Sequence, residues 1–118
     1  MCVKVHSNGV NQGTGNSCGG VGSWGYNYQC VELVQRYYQV MFRVNYAAQM
    51  CANRPSNIFV VSSPQAGDIY VTAAGTYGHT ALVHDVSGGN VVVFEQNGAC
   101  DGIATYSISG AECFLRST

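Results

Sequence analysis

The chain has 118 residues, enough for one domain with a modest core, and a formal net charge of −1 with only 9% charged residues. This charge argues against a nucleic-acid partner, which calls for a basic patch, and no apolar run approaches the roughly 20 residues of a membrane span. A hydrophobic content of 47% argues against disorder. We therefore expect a single domain over residues 1–118, a monomer with neither a nucleic-acid nor a membrane partner.

The first predicted elements are a loop-rich N-terminal segment and two helices. Residues 1–25 are rich in Gly, Asn and Ser, which is typical of loops. A helix is predicted over residues 27–42, because apolar residues recur there with helical spacing. Those apolar residues are Val31, Val34, Tyr38 and Met41. A second, short helix is predicted from Tyr46 to Asn53, and it ends before Pro55 because the residue preceding a proline avoids helical backbone angles.

From Gly67 onward the pattern changes to short strands separated by turn residues. The predicted strands are Asp68–Thr72, His79–Val86, Val91–Asn97, Ala104–Ser109 and Cys113–Arg116. Helices followed by consecutive strands predict an α+β fold, in which N-terminal helices pack on one side of an antiparallel sheet.

The hairpin around Gly88 and Gly89 determines which side chains share a face of the sheet. A three-residue loop, Ser87-Gly88-Gly89, places His79 and Glu95 on the same face as diagonal neighbours. A two-residue Gly-Gly loop would place them on opposite faces. We predict the three-residue loop, with Gly89 in the left-handed conformation that such loops require. The Val and Ala residues of the shared face are then expected to pack on the first helix.

Four residues have the chemistry of a cysteine hydrolase. Cys30 stands where a loop turns into a helix, and the unpaired N–H groups and dipole of a helix start favour the nucleophilic thiolate. His79 follows Gly78 and opens an apolar strand. Glu95 follows the apolar run Val91-Val92-Val93-Phe94 within a predicted strand, where a half-buried carboxylate needs a partner such as histidine. Asn97 follows closely. The structural alternatives are a core cysteine, a surface histidine, a solvated glutamate and a turn asparagine.

At these residues the chain resembles the CHAP domain family (cysteine, histidine-dependent amidohydrolase/peptidase), which belongs with the NlpC/P60 and papain-like cysteine hydrolases. The resemblance covers roughly residues 20–116. It rests on Tyr28-Gln29-Cys30-Val31-Glu32-Leu33-Val34, Gly67-Asp68-Ile69, Gly78-His79-Thr80-Ala81-Leu82-Val83 and Glu95-Gln96-Asn97, in the order of the family. It implies a papain-like, NlpC/P60-like α+β fold and cleavage of amide bonds, most often in peptidoglycan.

The resemblance also implies roles for individual residues. Cys30 is the nucleophile, His79 the base, Glu95 the partner that orients the histidine, and Asn97 an auxiliary polar residue. The backbone N–H of Cys30 is expected to bind the oxyanion.

The surroundings of Cys30 supply further candidates. Tyr28 and Gln29 are candidates for the second oxyanion donor. Trp24, Tyr26 and Tyr77 are expected either to line the cleft, where aromatic faces suit sugars or stem peptides, or to be structural.

No metal or cofactor is expected from the sequence. Cys and His residues lack zinc spacing, with no C-x-x-C pair. Some phage-lysin members of the family have an Asp-rich calcium loop before the cysteine. Residues 20–27 of this chain contain no carboxylate.

Six cysteines in a weakly charged chain predict a secreted, disulfide-stapled protein outside the cytosol. A bridge from Cys100 to Cys113 would close a loop of about 14 residues and contribute roughly 3 kcal/mol. With Cys30 free, one further pair is expected among Cys2, Cys18 and Cys51. No signal peptide is visible at Met1, so a secreted protein would be in its processed form.

These observations predict a cysteine hydrolase of bacterial peptidoglycan, either an N-acetylmuramoyl-L-alanine amidase or an endopeptidase of the stem peptide or cross-bridge. One alternative is a related amidase or acyl-transferase that acts on a different amide. Another is a non-catalytic wall-binding module in which Cys30 is consumed in a disulfide, since six cysteines can pair completely.

Overall fold

One helix packs against a six-stranded antiparallel sheet in the computed structural model, which describes residues 4–9, 12–14, 19–26, 29–99 and 101–117. The helix, α1, spans Cys30–Tyr38. The strands are β1 (Val21–Gly22), β2 (Gly25–Tyr26), β3 (Ile58–Val61), β4 (Ile69–Thr72), β5 (His79–Ser87), β6 (Asn90–Phe94), β7 (Ile103–Ser107) and β8 (Cys113–Ser117). Strands β1 and β2 form a separate hairpin. The predicted α+β class is confirmed.

Helix formation is more limited than the sequence pattern predicted. The first helix ends at Tyr38 because Gln39 takes a left-handed backbone conformation, with φ 56°, which closes the last turn. Met41, the last apolar residue of the predicted stripe, is therefore outside the helix and 42% exposed. The predicted second helix is reduced to a short 3₁₀ helix, Ala47–Gln49. A single α-helix, rather than two, covers the described part of the sheet.

The six strands lie in the order β3-β8-β4-β5-β6-β7, and every neighbouring pair is antiparallel. All five predicted strands are present, with ends that differ by a few residues. The edge strand β3 was not predicted, although its four apolar residues precede the turn residues Ser62-Ser63-Pro64. The C-terminal strand β8 therefore runs between β3 and β4 and not beside β7.

The helix packs on the opposite face of the sheet from the one predicted. Leu33 and Val34 of α1 belong to a buried cluster with Ile69, Leu82 and Leu115. Strand register aligns these aliphatic residues across β5, β4 and β8, because Ile69 pairs with both Leu82 and Leu115. This continuous aliphatic surface accepts the helix. The Val and Ala residues of the other face form a second cluster, made of Tyr70, Ala81, Val83, Val91, Val93 and Phe114.

The hairpin between β5 and β6 has a two-residue loop, so the predicted three-residue loop is wrong. Ser87 pairs with Asn90, and Gly88 has the positive φ, 59°, that two-residue hairpin turns need at their first central position. The register shifts by one residue between Val83 and Asp85, where an irregularity adds the extra residue His84. Beyond it Leu82 pairs with Phe94, the pairing that the three-residue loop would have produced.

A disulfide joins Cys51, which follows the 3₁₀ helix, to Cys113 at the start of β8. The predicted Cys100–Cys113 bridge is therefore wrong, and Cys51 is not available to Cys2 or Cys18. The prediction rested on the short loop between Cys100 and Cys113, whereas the tertiary structure brings Cys51 to the start of β8. Cys2, Cys18 and Cys100 lie outside the described residues.

No helix among the described ranges has the length and apolar character to cross a membrane.

Replacing both Cys51 and Cys113 by serine should lower the free energy of unfolding by about 4 kcal/mol, because the bridge spans 62 residues and restricts the unfolded chain. Urea denaturation of the oxidised wild type and the double variant measures this difference. Peptide mapping without reductant is the covalent check, and a fragment that links Cys113 to Cys100 would contradict the assignment.

Candidate functional site

Cys30 is the first residue of α1 and is a free thiol, half-buried at the helix start. Its side chain is hydrogen-bonded to the ring of His79, the first residue of β5. The other side of the ring is held by Glu95, with 2.8 Å between His79 Nε2 and Glu95 Oε1. The structure thus brings three of the predicted residues into one hydrogen-bonded chain.

His79 is held in its charged form. The ring is 18% exposed, and burial by itself lowers the pKa of His79. Hydrogen bonds to Cys30 and Glu95 and the negative charge of both partners outweigh this effect. The pKa of His79 is raised from its ordinary value of 6.5 to about 10, so an imidazolium stands between two acidic groups.

Glu95 is 1% exposed and anionic because three donors surround its carboxylate. Oε1 accepts from His79 and from the Tyr106 hydroxyl at 2.6 Å, and Oε2 accepts from the Ala99 N–H at 2.6 Å. Burial raises the pKa of Glu95, but these bonds more than compensate, and the pKa lies below its usual range. Gly98 is required for this fit, since a Cβ there would lie 2.4 Å from Oε2.

Tyr106 of β7 is a site residue that the sequence pattern did not indicate. Its ring stacks on Tyr70, with centroids 5.0 Å apart, and meets the His79 ring edge-on at 6.1 Å. Burial and the hydrogen bond to Glu95 raise the pKa of Tyr106, so its hydroxyl stays protonated and donates. The strand register would have identified Tyr106 as a site residue. Tyr106 pairs with Val91, and the alternation of side chains puts both on the face of Glu95.

Gln96, the next residue after Glu95, connects the end of β6 to the start of α1. Its Nε2 donates to the Gln29 carbonyl at 3.0 Å and to Glu32 Oε1 at 2.9 Å. Its Oε1 accepts from Arg36 Nη2 at 2.9 Å, and Arg36 also forms an ion pair with Glu32 at 2.7 Å. The side chain is buried and fully hydrogen-bonded, which fixes the helix start relative to Glu95.

Asn97, expected to be an auxiliary polar residue, has its hydrogen-bond partners in the N-terminal segment and at Gln29. Its Oδ1 accepts from Asn8 Nδ2 at 2.9 Å and from the Gly13 N–H at 2.8 Å. Its Nδ2 donates to Gln29 Oε1 at 2.8 Å and to the Thr14 carbonyl. Asn97 therefore attaches the N-terminal segment to the residue that precedes Cys30.

A cleft of about 840 Å³ opens beside this hydrogen-bonded chain. Of the predicted lining residues, Tyr26 and Tyr77 do line it, and so does Gln29, a candidate for the second oxyanion donor. Trp24 is not part of the lining, and its carbonyl accepts from Gln35 Nε2 at 2.7 Å. Tyr28 lies outside the described residues.

Within the ranges that the structure describes, no group of three or more His, Cys, Asp or Glu side chains is arranged to hold a metal ion.

The comparisons with known proteins add a family to this geometry. The sequence model described as CHAP domain matches residues 21–97, which include α1, β5, Cys30, His79 and Glu95. A search of curated proteins found no match.

Replacing Cys30 by alanine should lower the pKa of His79, because the variant lacks a hydrogen bond and a charge that raise it while burial, which lowers it, remains. Glu95→Gln should lower it as well. NMR titration of the ring resonances measures each value. An unchanged pKa in both variants would contradict the ion-pair arrangement.

The raised pKa of His79 also makes the free energy of unfolding depend on pH. Because the folded-state pKa is above the ordinary value, the stabilisation from His79 is complete below pH 6.5 and is lost as pH rises through about 10.

Replacing Tyr106 by phenylalanine should lower the free energy of unfolding by about 2 kcal/mol, since a buried carboxylate would lose a charge-assisted hydrogen bond. Tyr77→Phe is the matched control because it removes a hydroxyl from a ring that is 55% exposed. Urea unfolding of the two variants at pH 7 gives the comparison. Equal stabilities would mean that the hydroxyl does not support Glu95.

Proposed function

The chain belongs to the CHAP domain family, and on this premise we propose that it is a cysteine hydrolase of bacterial peptidoglycan. The family suggests a hydrolase or amidase of this kind. The proposal is that the bond cut is the N-acetylmuramoyl-L-alanine amide or a peptide bond of the stem or cross-bridge. The observation that carries the proposal is the hydrogen-bonded chain Cys30–His79–Glu95 at the wall of an open cleft.

The first half of the proposed reaction forms an acyl-enzyme. Cys30 Sγ attacks the carbonyl carbon, and the carbonyl electron pair moves to oxygen to give a tetrahedral oxyanion. When this intermediate collapses, the C–N bond breaks, and His79 donates its proton to the leaving nitrogen. A thioester to Cys30 and a free amine result. The raised pKa of His79 supports this step because the proton is in place before the attack.

The second half returns the free enzyme. The neutral His79 ring accepts a proton from water as the water oxygen attacks the thioester carbonyl. The C–S bond then breaks, which releases a carboxylic acid and restores the thiolate beside the imidazolium. Glu95 holds Nε2 throughout, so Nδ1 is the nitrogen directed at Cys30.

The oxyanion is assigned to donors at the start of α1. The first N–H groups of a helix have no intrahelical acceptor, and that of Cys30 belongs to the residue whose sulfur attacks the carbonyl. We assign the second donor to the Gln29 side chain, which lines the cleft and is oriented by its hydrogen bond with Asn97.

The free thiol of Cys30 favours this enzyme over the alternative of a wall-binding module in which Cys30 is bonded. The Cys51–Cys113 disulfide supports a location outside the cytosol. The active protein therefore requires an environment in which the Cys51–Cys113 bridge stays oxidised and the Cys30 thiol stays free.

Incubation of the protein with purified peptidoglycan, followed by mass spectrometry of the soluble fragments, tests the proposal. Cys30→Ala should lower product formation at least about 1,000-fold, and Glu95→Gln about 100-fold or more, because the nucleophile or the orientation of its base is lost. New amino termini with intact sugars identify an endopeptidase, whereas separated glycan and peptide identify the amidase.

Circular dichroism of each variant checks that the fold is retained. Fragments released equally by wild type and a folded Cys30→Ala variant would overturn the mechanism. Fragments released by neither protein would overturn the assignment of peptidoglycan as substrate.

A further inference from the structure

The cleft contains one positively charged side chain that the proposed chemistry does not use, Arg43. The other ionised side chains of the lining are paired, Glu32 with Arg36 and His79 with Glu95. Arg43 is exposed, and its guanidinium has no hydrogen-bond or ion-pair partner among the residues that the structure describes. Arg43 is therefore, within the described part of the chain, an unpaired positively charged residue in the lining of the cleft.

The backbone holds Arg43 in an unusual conformation. Its φ of 57° lies in the left-handed region, which residues other than glycine seldom adopt. The preceding residue fixes this geometry: Phe42 is 3% exposed, and its N–H donates to Gln35 Oε1 at 2.9 Å. Gln35 is held in turn by the Trp24 carbonyl. Such strain persists only where the surroundings enforce it, and here it occurs at an arginine that lines the cleft.

The wall beside Arg43 is apolar and aromatic. Met41 and Tyr46, close to Arg43 along the chain, both line the cleft with exposed side chains. The Tyr46 ring meets Tyr77 edge-on, with centroids 5.9 Å apart, and the Tyr77 carbonyl accepts from the Ala48 N–H at 3.0 Å. This part of the cleft combines one cation with a broad apolar surface, which suits a peptide that carries both a carboxylate and aliphatic groups.

We propose that Arg43 is a carboxylate-binding subsite of the cleft and selects substrates with a free carboxylate near the scissile amide. The planar guanidinium binds a carboxylate through two parallel hydrogen bonds, whereas a neutral carboxamide offers one acceptor and no charge. The inference rests on the proposed function and makes it more specific, since stem peptides of peptidoglycan bear carboxylates that are either free or amidated. The substrate class is then the peptide with the free acid.

Binding to the inactive Cys30→Ala protein tests the subsite without any need for turnover. The probes are two synthetic muramoyl peptides that differ only in having a free carboxylate or a carboxamide at the glutamyl residue. Isothermal calorimetry of Cys30→Ala should show the carboxylate form binding about 10-fold more tightly. Adding Arg43→Gln should remove this preference and leave the affinity for the carboxamide form unchanged. Arg43→Lys should keep part of it.

Arg54→Gln is the matched control, because it removes the same charge from an exposed arginine that is not part of the cleft lining. It should retain the full preference when added to Cys30→Ala. Equal affinity of Cys30→Ala for the two peptides, no binding of either, or an equal effect of Arg43→Gln and Arg54→Gln would each overturn the subsite.

The proposed hydrolase activity and the proposed subsite can each fail independently of the other, and the two failures give different results. A wild-type protein that binds the carboxylate form preferentially through Arg43 but cuts no peptidoglycan would overturn the hydrolase and retain the subsite. A protein that cuts peptidoglycan without discriminating between the two peptides in the binding assay would retain the hydrolase and overturn the subsite.

Discussion

The buried carboxylate of Glu95 is the constraint on which the rest of the site depends. A charge in a protein interior is tolerated only when hydrogen bonds and opposite charge replace the lost water. Glu95 obtains its three donors from three different segments, His79 at the start of β5, Tyr106 of β7 and the backbone of Ala99. One carboxylate therefore requires that three segments be aligned at once, and a shift of any of them removes one of the donors of a buried charge.

Alignment of β5 with β6 at the site depends on a two-residue turn and on one irregularity in the pairing of the two strands. The two-residue Gly88-Gly89 turn alone would put His79 and Glu95 on opposite faces of the sheet, because side chains alternate. The extra residue at His84 restores them to one face. This extra residue corrects the one-residue offset in pairing that the two-residue turn introduces. It lies in β5 between the turn and His79.

The nucleophile is placed by the residue next to the carboxylate. Gln96 bonds the first turn of α1 through the Gln29 carbonyl and Glu32, and the Glu32–Arg36 ion pair completes this network. Glu95 and Gln96 are consecutive, so their side chains lie on opposite faces of the sheet. Glu95 bonds the histidine, and Gln96 bonds the first turn of the helix that begins with Cys30. The position of Cys30 relative to His79 therefore depends on the hydrogen bonds of Gln96 at the end of β6.

Local sequence determined the α+β class, the helix that begins near Cys30, and the candidacy of His79 and Glu95, because periodicity and composition act over a few residues. The tertiary structure alone decided the partner of Cys113, the role of Tyr106 and the face that receives the helix. These depend on strand order and register, which bring distant segments together and leave little trace in any short stretch of chain. The bridge from Cys51 to Cys113 shows the difference, since it joins cysteines 62 positions apart, whereas closeness in sequence suggested Cys100 as the partner.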